Sequence, residues 1–412
     1  MLETSEITSQ KAIDLEHTYG AHNYHPLPVV LSKGEGVFLW DIEGHKYYDF
    51  LSAYSAVNQG HCHPRIINAL VKQAANLTLT SRAFHSDQLG IAEEYVCEYF
   101  GYERVLFMNT GVEANESAIK IARKWGYEEK GILENKAVIV VAENNFHGRT
   151  ISIISASTDP VARKGFGPFT PGFEVIPYND IEALENALSN QNVAGFLIEP
   201  IQGEAGVFVP DDGYLKTAEK ICKKNNVLLM VDEVQTGIAR TGRLLASDYD
   251  DVNPDMLILG KAISGGVFPV SLVLTRHKIM DVLQPGEHGS TYGGNPLACA
   301  VTMEALQVVK DENLADNAMK MGNIFHDRMN SIVAKSGFVT LVRGKGLLNA
   351  IVINDTEESE TAWNICLELK ENGLLAKPTH GNIIRFAPPL IITEEQLHHC
   401  CDIIENTLQE FN

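Results

Sequence analysis

The sequence predicts an α/β protein in which a large domain with a mostly parallel, seven-stranded sheet precedes a smaller α+β domain. Between about residues 104 and 275, seven short apolar runs alternate with amphipathic segments. The runs show no polar alternation, which is typical of strands buried on both faces of a parallel sheet. From about residue 296 the pattern changes to a long helix followed by mixed strands and helices.

Each apolar run predicts one strand, and the runs lie at residues 105–108, 137–142, 173–176, 195–198, 227–231, 256–259 and 270–274. Beyond them, residues 297–309 have a helical pattern and residues 347–352 a strand pattern. A length of 412 residues suggests two or three domains. We therefore predict a large domain at 55–293, a small domain at 294–412, and an N-terminal segment, 1–54, that packs with the small domain.

Composition excludes several classes of function. Lys and Arg total 33 against 53 acidic residues, and the net charge of −20 argues against binding to nucleic acid or to anionic membranes. No apolar run is long enough for a membrane helix. The seven cysteines have no regular spacing, which favours free thiols in a reducing compartment. The N-terminus lacks the features of a secretory signal or a mitochondrial transit peptide, so we expect a cytoplasmic protein, with a processed organellar protein as the alternative.

Polar residues follow four of the predicted strands, at the sheet edge where parallel α/β proteins bind ligands. Thr110 and Glu113 have capping-box spacing, which predicts the start of a helix. Gly111 would let a phosphate approach the amides of that helix start, although an ordinary strand–turn–helix has the same pattern. Phe146 follows another strand and could stack on a flat ring or belong to the core.

Two charged residues close apolar strands. A buried carboxylate such as that of Asp232 is costly at the end of an apolar strand unless it is paired. A cationic ring nitrogen could be its partner, and the pattern is equally consistent with a helix cap or a structural ion pair. Lys261 precedes a glycine pair and could be a desolvated Schiff-base nucleophile or a snorkelling lysine. A site for pyridoxal 5′-phosphate (PLP) needs four features: a turn that binds phosphate, an aromatic ring that stacks, a buried acid, and a lysine at the end of a strand. The sequence contains all four.

The sequence resembles the class III PLP-dependent aminotransferases of fold type I, and within them most closely the ornithine aminotransferases. The resemblance covers about residues 19–389. The stretches that carry it are YGAHNYHPLP at 19–28, SAVNQGHCHP at 55–64, TGVEANE at 110–116, DEVQTG at 232–237 and GSTYGGNP at 289–296.

The resemblance implies roles for individual residues toward PLP. Lys261 would hold the cofactor aldehyde covalently, and Asp232 would pair with the ring nitrogen. The other implied cofactor-binding residues are Gly111 and Val112 at the phosphate, Phe146 against the ring, His147, Gln235 at the ring hydroxyl, and Ser290 and Thr291, which would reach the phosphate of a partner subunit. The last two imply a homodimer with shared active sites.

The resemblance also implies the substrates, L-ornithine and 2-oxoglutarate, and thus ping-pong transfer of the δ-amino group in proline biosynthesis and arginine metabolism. Tyr24 and Arg149 would bind the α-carboxylate of ornithine, and Tyr54 would shape specificity. Arg385 would bind the α-carboxylate of glutamate or 2-oxoglutarate. Glu204 would pair with that arginine while a terminal amine is bound. Without the resemblance, Arg385 and Glu204 would be interpreted as a surface ion pair.

Other activities remain as alternatives. Acetylornithine aminotransferase, 4-aminobutyrate aminotransferase and an aminomutase are possible on the same scaffold, and Tyr24 favours ornithine among them. A hydrolase is disfavoured because the segment around Ser264 lacks the first glycine of a nucleophile elbow. No P-loop is present, because neither Gly-Lys pair precedes Ser or Thr. A cofactor-fold sensor fused to a DNA-binding module is disfavoured, because the short, acidic N-terminal segment leaves no room for that module. The pattern His61-Cys62-His63 predicts a turn before a helix rather than a metal site, so we expect no metal.

Overall fold

The structure is a computed structural model, and it describes residues 7–411. Within that range the helices are α1 (Ser9–Tyr19), α2 (Ser52–Ser55), α3 (Pro64–Ala74), α4 (Leu89–Phe100), α5 (Gly111–Glu128), α6 (Ile151–Ser155), α7 (Pro160–Arg163), α8 (Ile181–Leu188), α9 (Tyr214–Lys224), α10 (His277–Met280), α11 (Pro296–Asp311), α12 (Leu314–Lys335), α13 (Thr361–Glu371) and α14 (Glu394–Glu410). Two 3₁₀ turns cover Ala246–Asp250 and Lys261–Ser264. No helix in this part of the chain is both long and apolar enough to cross a bilayer.

The strands form three sheets. Their bounds are β1 (Leu31–Glu35), β2 (Phe38–Asp41), β3 (Lys46–Asp49), β4 (Arg104–Met108), β5 (Val138–Ala142), β6 (Phe173–Ile176), β7 (Val193–Ile198), β8 (Leu228–Asp232), β9 (Met256–Leu259), β10 (Ser271–Thr275), β11 (Val339–Lys345), β12 (Leu348–Ile353), β13 (Leu374–Leu375), β14 (Lys377–His380) and β15 (Ile383–Phe386).

The central sheet has seven strands in the order β4-β10-β9-β8-β7-β5-β6. Strand β10 runs antiparallel to β4 and β9, and the other neighbours are parallel, so the predicted mostly parallel, seven-stranded sheet is confirmed. Alternate side chains of one strand enter different cores. Ile139 and Val141 pack with α5, whereas Val140 packs with α8 and α9. Helices thus cover both faces, which explains the absence of polar alternation.

The chain after α11 forms the antiparallel sheet β11-β12-β15-β14, against which α12 and α13 pack. The N-terminal strands β1, β2 and β3 form the third sheet with β13, which joins β3 in parallel through Leu374↔Tyr48 and Leu375↔Asp49. Strands more than 300 positions apart in the chain therefore share one sheet. The division at residues 54 and 293 stays a prediction.

A fully buried arginine joins distant parts of the chain. Arg240 donates to Asn58 Oδ1 at 2.6 Å and to the carbonyl oxygens of Leu347 and Pro388 at 2.9 and 2.6 Å. Burial lowers the pKa of Arg240 to about 9. Because Pro388 follows β15 closely, Arg240 fixes the position of this strand against the central sheet.

Candidate active site

The carboxyl ends of several central strands surround a cavity of about 160 Å³. Residues that follow β4, β5, β7, β8 and β9 all reach it, as expected for an open parallel sheet. Its lining consists of Gly111, Val112, Asn115, Phe146, His147, Gly148, Glu199, Ile201, Glu204, Asp232, Val234, Gln235, Thr236 and Lys261. Eight of the predicted site residues are in that set, so the structure brings them to one place.

The amino end of α5 closes one side of the cavity. Thr110 and Glu113 form the predicted capping box, with Thr110 N donating to Glu113 Oε2 at 2.8 Å. A Cβ on Gly111 would lie 2.9 Å from Val234 Cγ1, so the contact with Val234 leaves little room for a side chain, and the predicted approach of a phosphate to Gly111 stays a prediction. The first free amides of an 18-residue helix, where the positive end of its dipole lies, form an anion site next to the cavity.

Asp232 is held by three donors at the base of the cavity. Its Oδ2 accepts from His147 Nδ1 at 2.7 Å and from Asn115 Nδ2 at 2.8 Å, and its Oδ1 accepts from Val234 N at 3.0 Å. His147 is only 3% exposed. Burial alone would lower its pKa, but the hydrogen bond to Asp232 and the charge of that carboxylate raise the pKa above its ordinary value. The carboxylate is therefore rigidly oriented.

Lys261 begins a 3₁₀ turn directly after Gly260 and has a φ of 48°. Such a backbone is uncommon for a residue with a side chain, and strain of this kind concentrates at functional sites. Desolvation lowers the pKa of Lys261, although Glu204 and Asp232 act in the opposite direction. A lowered pKa makes the neutral, nucleophilic amine more accessible.

The ring of Phe146 is 38% exposed rather than part of the core. Its backbone N–H donates to Glu199 Oε2 at 3.0 Å, so the position of the ring depends on Glu199. Burial raises the pKa of Glu199 to about 8; the charge of His147 opposes this rise, and the charge of Asp232 adds to it. Phe146 thus presents its ring from a backbone fixed by a buried carboxyl group.

Glu204 and Arg385 form a two-bond ion pair at the mouth of the cavity. Arg385 Nη1 donates to Glu204 Oε1 at 3.0 Å and Nη2 donates to Oε2 at 3.3 Å, while Gln235 Nε2 also donates to Oε1 at 3.3 Å. Burial would raise the pKa of Glu204, but Arg385 outweighs it and holds the pKa below its ordinary value. Arg385 is only 4% exposed, so this is not a surface ion pair.

A second cavity of about 270 Å³ lies beyond Phe146 and shares Phe146, His147, Gly148 and Glu204 with the first. The predicted Arg149 lines this outer cavity, with its guanidinium 5.7 Å from the centre of the Phe146 ring. Tyr54 lies close to the ion pair, with its ring 5.3 Å from the Arg385 guanidinium.

Five predicted residues line neither cavity: Arg385 and Tyr54, which lie by the ion pair, and Tyr24, Ser290 and Thr291. Tyr24 lies between α1 and β1 with 67% of its surface exposed. Ser290 Oγ accepts from Asn109 Nδ2 at 2.9 Å beside the start of α5, and Thr291 is exposed. Their roles toward substrate and toward a second subunit stay predictions.

The residues of the inner cavity fit PLP. Asn115 Oδ1, His147 Nε2 and Gln235 Oε1 are buried without a hydrogen-bond partner among the described residues, so polar groups remain for a ligand. A Cβ on Gly148 would lie 2.3 Å from Val112 Cγ2, so glycine lets this loop approach the helix start. Within residues 7–411 no group of His, Cys, Asp and Glu side chains could hold a metal ion.

The sequence analysis missed three residues that contact the site residues. Asn115 orients Asp232, Glu199 fixes Phe146, and Lys377 donates to Tyr54 Oη at 2.9 Å. Asn115 lies one helical turn after Gly111, which is a recognisable spacing. Lys377 lies 323 positions from Tyr54, and nothing local in the sequence connects them.

Residues 19–408 match the family model of class-III aminotransferases, and the chain belongs to this family, which is PLP-dependent. Among known proteins, it is 62% identical over 393 residues to a mitochondrial ornithine aminotransferase of Drosophila melanogaster, covering 95% of this chain and 90% of that protein. The solved ornithine aminotransferase of Toxoplasma gondii, which has partial occupancy of PLP at its active site, is 52% identical with a TM-score of 0.96 over 98% of this chain and 94% of that one. An acetylornithine aminotransferase from Elizabethkingia anophelis is 60% identical with a TM-score of 0.91, over 98% and 100% of the two chains.

Proposed function

We propose that the protein is an ornithine aminotransferase, which transfers the δ-amino group of L-ornithine to 2-oxoglutarate in two half-reactions. The observation that carries the proposal is the partly buried Glu204–Arg385 ion pair, whose Glu204 lines the inner cavity together with Lys261. Relatives with this activity in their names, 62% and 52% identical over nearly the whole chain, support it. The products would be glutamate 5-semialdehyde, which cyclises to pyrroline-5-carboxylate, and glutamate.

The ion pair explains how one cavity accepts both substrates. While Glu204 neutralises Arg385, no carboxylate is needed at that end, and the terminal amine of ornithine enters with its α-carboxylate toward Arg149. When Glu204 turns away, the guanidinium offers a two-bond site to the α-carboxylate of 2-oxoglutarate. The distal carboxylate of the oxo acid would then lie where that of ornithine lay, at Arg149.

PLP, when bound, supplies an aldehyde for amines and a ring that takes up an electron pair. Lys261 Nζ, desolvated and with a lowered pKa, would hold the cofactor, and its free amine would accept the proton that leaves the δ-carbon of ornithine. Asp232, oriented by His147 and Asn115, provides a fixed negative charge at the base of the cavity. Phe146 excludes water from one side of it.

Acetylornithine aminotransferase is the second candidate, because the relative from Elizabethkingia anophelis is 60% identical. The two substrates differ at the α-amino group, which is charged in ornithine and acetylated in acetylornithine. Asp159 and Glu357 line the outer cavity together with Arg149. Carboxylates there favour a free ammonium group over an acetyl group, and they favour ornithine.

Single-turnover measurements on the PLP-loaded protein would test the proposal. Ornithine, N-acetylornithine and 4-aminobutyrate would be compared by the rate at which each bleaches the absorbance of the bound cofactor. The proposal expects ornithine to react fastest and to give pyrroline-5-carboxylate. A higher kcat/KM for N-acetylornithine would contradict it in favour of the second candidate.

We further propose a homodimer in which Ser290 and Thr291 approach the phosphate site of the second subunit, since neither lines the inner cavity of its own chain. Sedimentation of the holoenzyme would test it, and a monomer with full activity would contradict it. A role in proline biosynthesis and arginine metabolism follows from the proposed substrates. The cytoplasmic location favoured by the seven free cysteines also stays a proposal, for cell fractionation to test.

A further inference from the structure

The turn Ser52–Ser55 has an unusual backbone. Its four residues have φ values of 50°, 47°, 60° and 71°, although none of them is glycine. Left-handed conformations in consecutive residues are costly and persist only where the surroundings impose them. Asp49 Oδ1 accepts from the N–H groups of Leu51 and Ser52, both at 2.8 Å, and Ser52 Oγ donates to the carbonyl oxygen of Ala387 at 2.6 Å.

These anchors place Tyr54 between two cations. Ala387 follows Arg385 by two residues, so the turn is fastened to the strand end that carries the arginine. The Tyr54 ring lies 5.3 Å from the Arg385 guanidinium, and its hydroxyl oxygen accepts from Lys377 Nζ at 2.9 Å. Lys377 in β14 is the cross-strand partner of Arg385 in β15. The contact is therefore built from both strands and from the strained turn.

Lys377 differs from Arg385 in its partners. Arg385 is paired with Glu204, whereas no carboxylate in residues 7–411 lies within 4.0 Å of Lys377 Nζ. Lys377 is partly buried, and its hydrogen bond is to the phenol. An ammonium group has no lone pair and can only donate, so the Tyr54 oxygen accepts from it and the phenolic proton remains available to another acceptor.

We propose that Lys377 is a positioning residue that acts through Tyr54 to select the oxo acid substrate. With its oxygen occupied by Lys377, Tyr54 directs its own proton to a carboxylate bound at Arg385. This inference rests on the proposed function, because only the oxo acid half-reaction brings a carboxylate to Arg385. While ornithine reacts, Glu204 pairs with Arg385, so no substrate carboxylate lies there to accept the Tyr54 proton. The hydrogen bond between Lys377 and Tyr54 should then have little effect on the rate.

The test compares Lys377→Met, which keeps the length of the side chain but removes the donor, with Lys377→Arg, which keeps a donor. Lys335→Met, at an exposed lysine near the end of α12, is the matched control. We expect Lys377→Met to lower kcat/KM for 2-oxoglutarate about tenfold, the value of one hydrogen bond to a charged group, mainly through KM. The ornithine half-reaction should change less than about twofold, the scatter of an uninvolved surface site, and Lys377→Arg should restore part of the loss.

Tyr54→Phe and the double variant locate the effect. If Lys377 acts through Tyr54, the double variant loses no more than Tyr54→Phe alone. Additive losses, or equal losses in the two half-reactions, would overturn the proposal, because a merely structural lysine would affect both.

A binding measurement separates this inference from the proposed function. Glutarate, a dicarboxylate without a reacting group, would be titrated into each PLP-loaded variant and followed by thermal shift. Weaker glutarate binding in Lys377→Met supports the role of Lys377 even if the protein does not convert ornithine. Unchanged glutarate binding overturns that role even if ornithine is the substrate.

Discussion

Removal of the Glu204 carboxylate should change which substrates the protein uses. At a distance of 3.0 Å and an effective dielectric near 20, Glu204 and Arg385 attract each other by about 5 kcal/mol before desolvation is counted. The net value of a charge-assisted pair is about 1.5–3 kcal/mol. A carboxylate substrate must displace Glu204 at that cost, so Glu204→Ala should favour α-amino and oxo acid substrates by about 10- to 100-fold.

The assay is the ratio of the single-turnover kcat/KM values for glutamate and ornithine with PLP-loaded protein. Glu134→Ala, the same substitution at an exposed glutamate between α5 and β5 that lines neither cavity, is the matched control. The ratio should rise in Glu204→Ala and stay constant in the control. An unchanged ratio in Glu204→Ala would refute the role of the ion pair.

Three further predictions concern stability and cofactor binding. Burial raises the pKa of Glu199 from an ordinary 4.5 to about 8, so the folded state holds this proton in a range where the unfolded chain has lost it, and stability falls as pH rises through that range. The melting temperature of Glu199→Gln relative to the wild type should therefore rise between about pH 5 and 8 and level off above pH 8, and a constant difference would disprove the shift. Gly148→Ala, whose Cβ would lie 2.3 Å from Val112 Cγ2 at a φ of 130°, should weaken PLP binding in a spectral titration, whereas Gly90→Ala, with open space around it, should not. Arg240→Met leaves three buried acceptors without their donor and should lower the free energy of unfolding in urea by roughly 3 kcal/mol or more, at about 1 kcal/mol or more for each acceptor; a loss below about 1 kcal/mol would contradict its role in joining the sheets.

The central sheet could be predicted because its strands are buried on both faces. Continuous apolar runs such as 227–231 and 256–259 are typical of such strands. The same property gives no information about strand direction. A run without alternation does not show that β10 runs antiparallel to its neighbours β4 and β9. The pairing of β3 with the two-residue strand β13 was also beyond the sequence, because it depends on packing between opposite ends of the chain.

Residues of the inner cavity could be predicted from the sequence where a charged residue stands in an apolar segment. Asp232 and Lys261 attract attention because charged groups rarely end fully apolar strands. Asn115 and Glu199 do not, because an asparagine in a helix and a glutamate after a strand are ordinary residues. The left-handed turn that carries Tyr54 contains no glycine, so the usual signal for such a backbone is missing.

The most direct test of the account is to find which lysine holds PLP. The purified protein would be loaded with PLP, reduced with borohydride and digested, and the modified peptide identified by mass spectrometry. The account predicts that the pyridoxyl group is on Lys261 and that Lys261→Ala retains none. A modification on another lysine, together with normal ornithine turnover by Lys261→Ala, would contradict it.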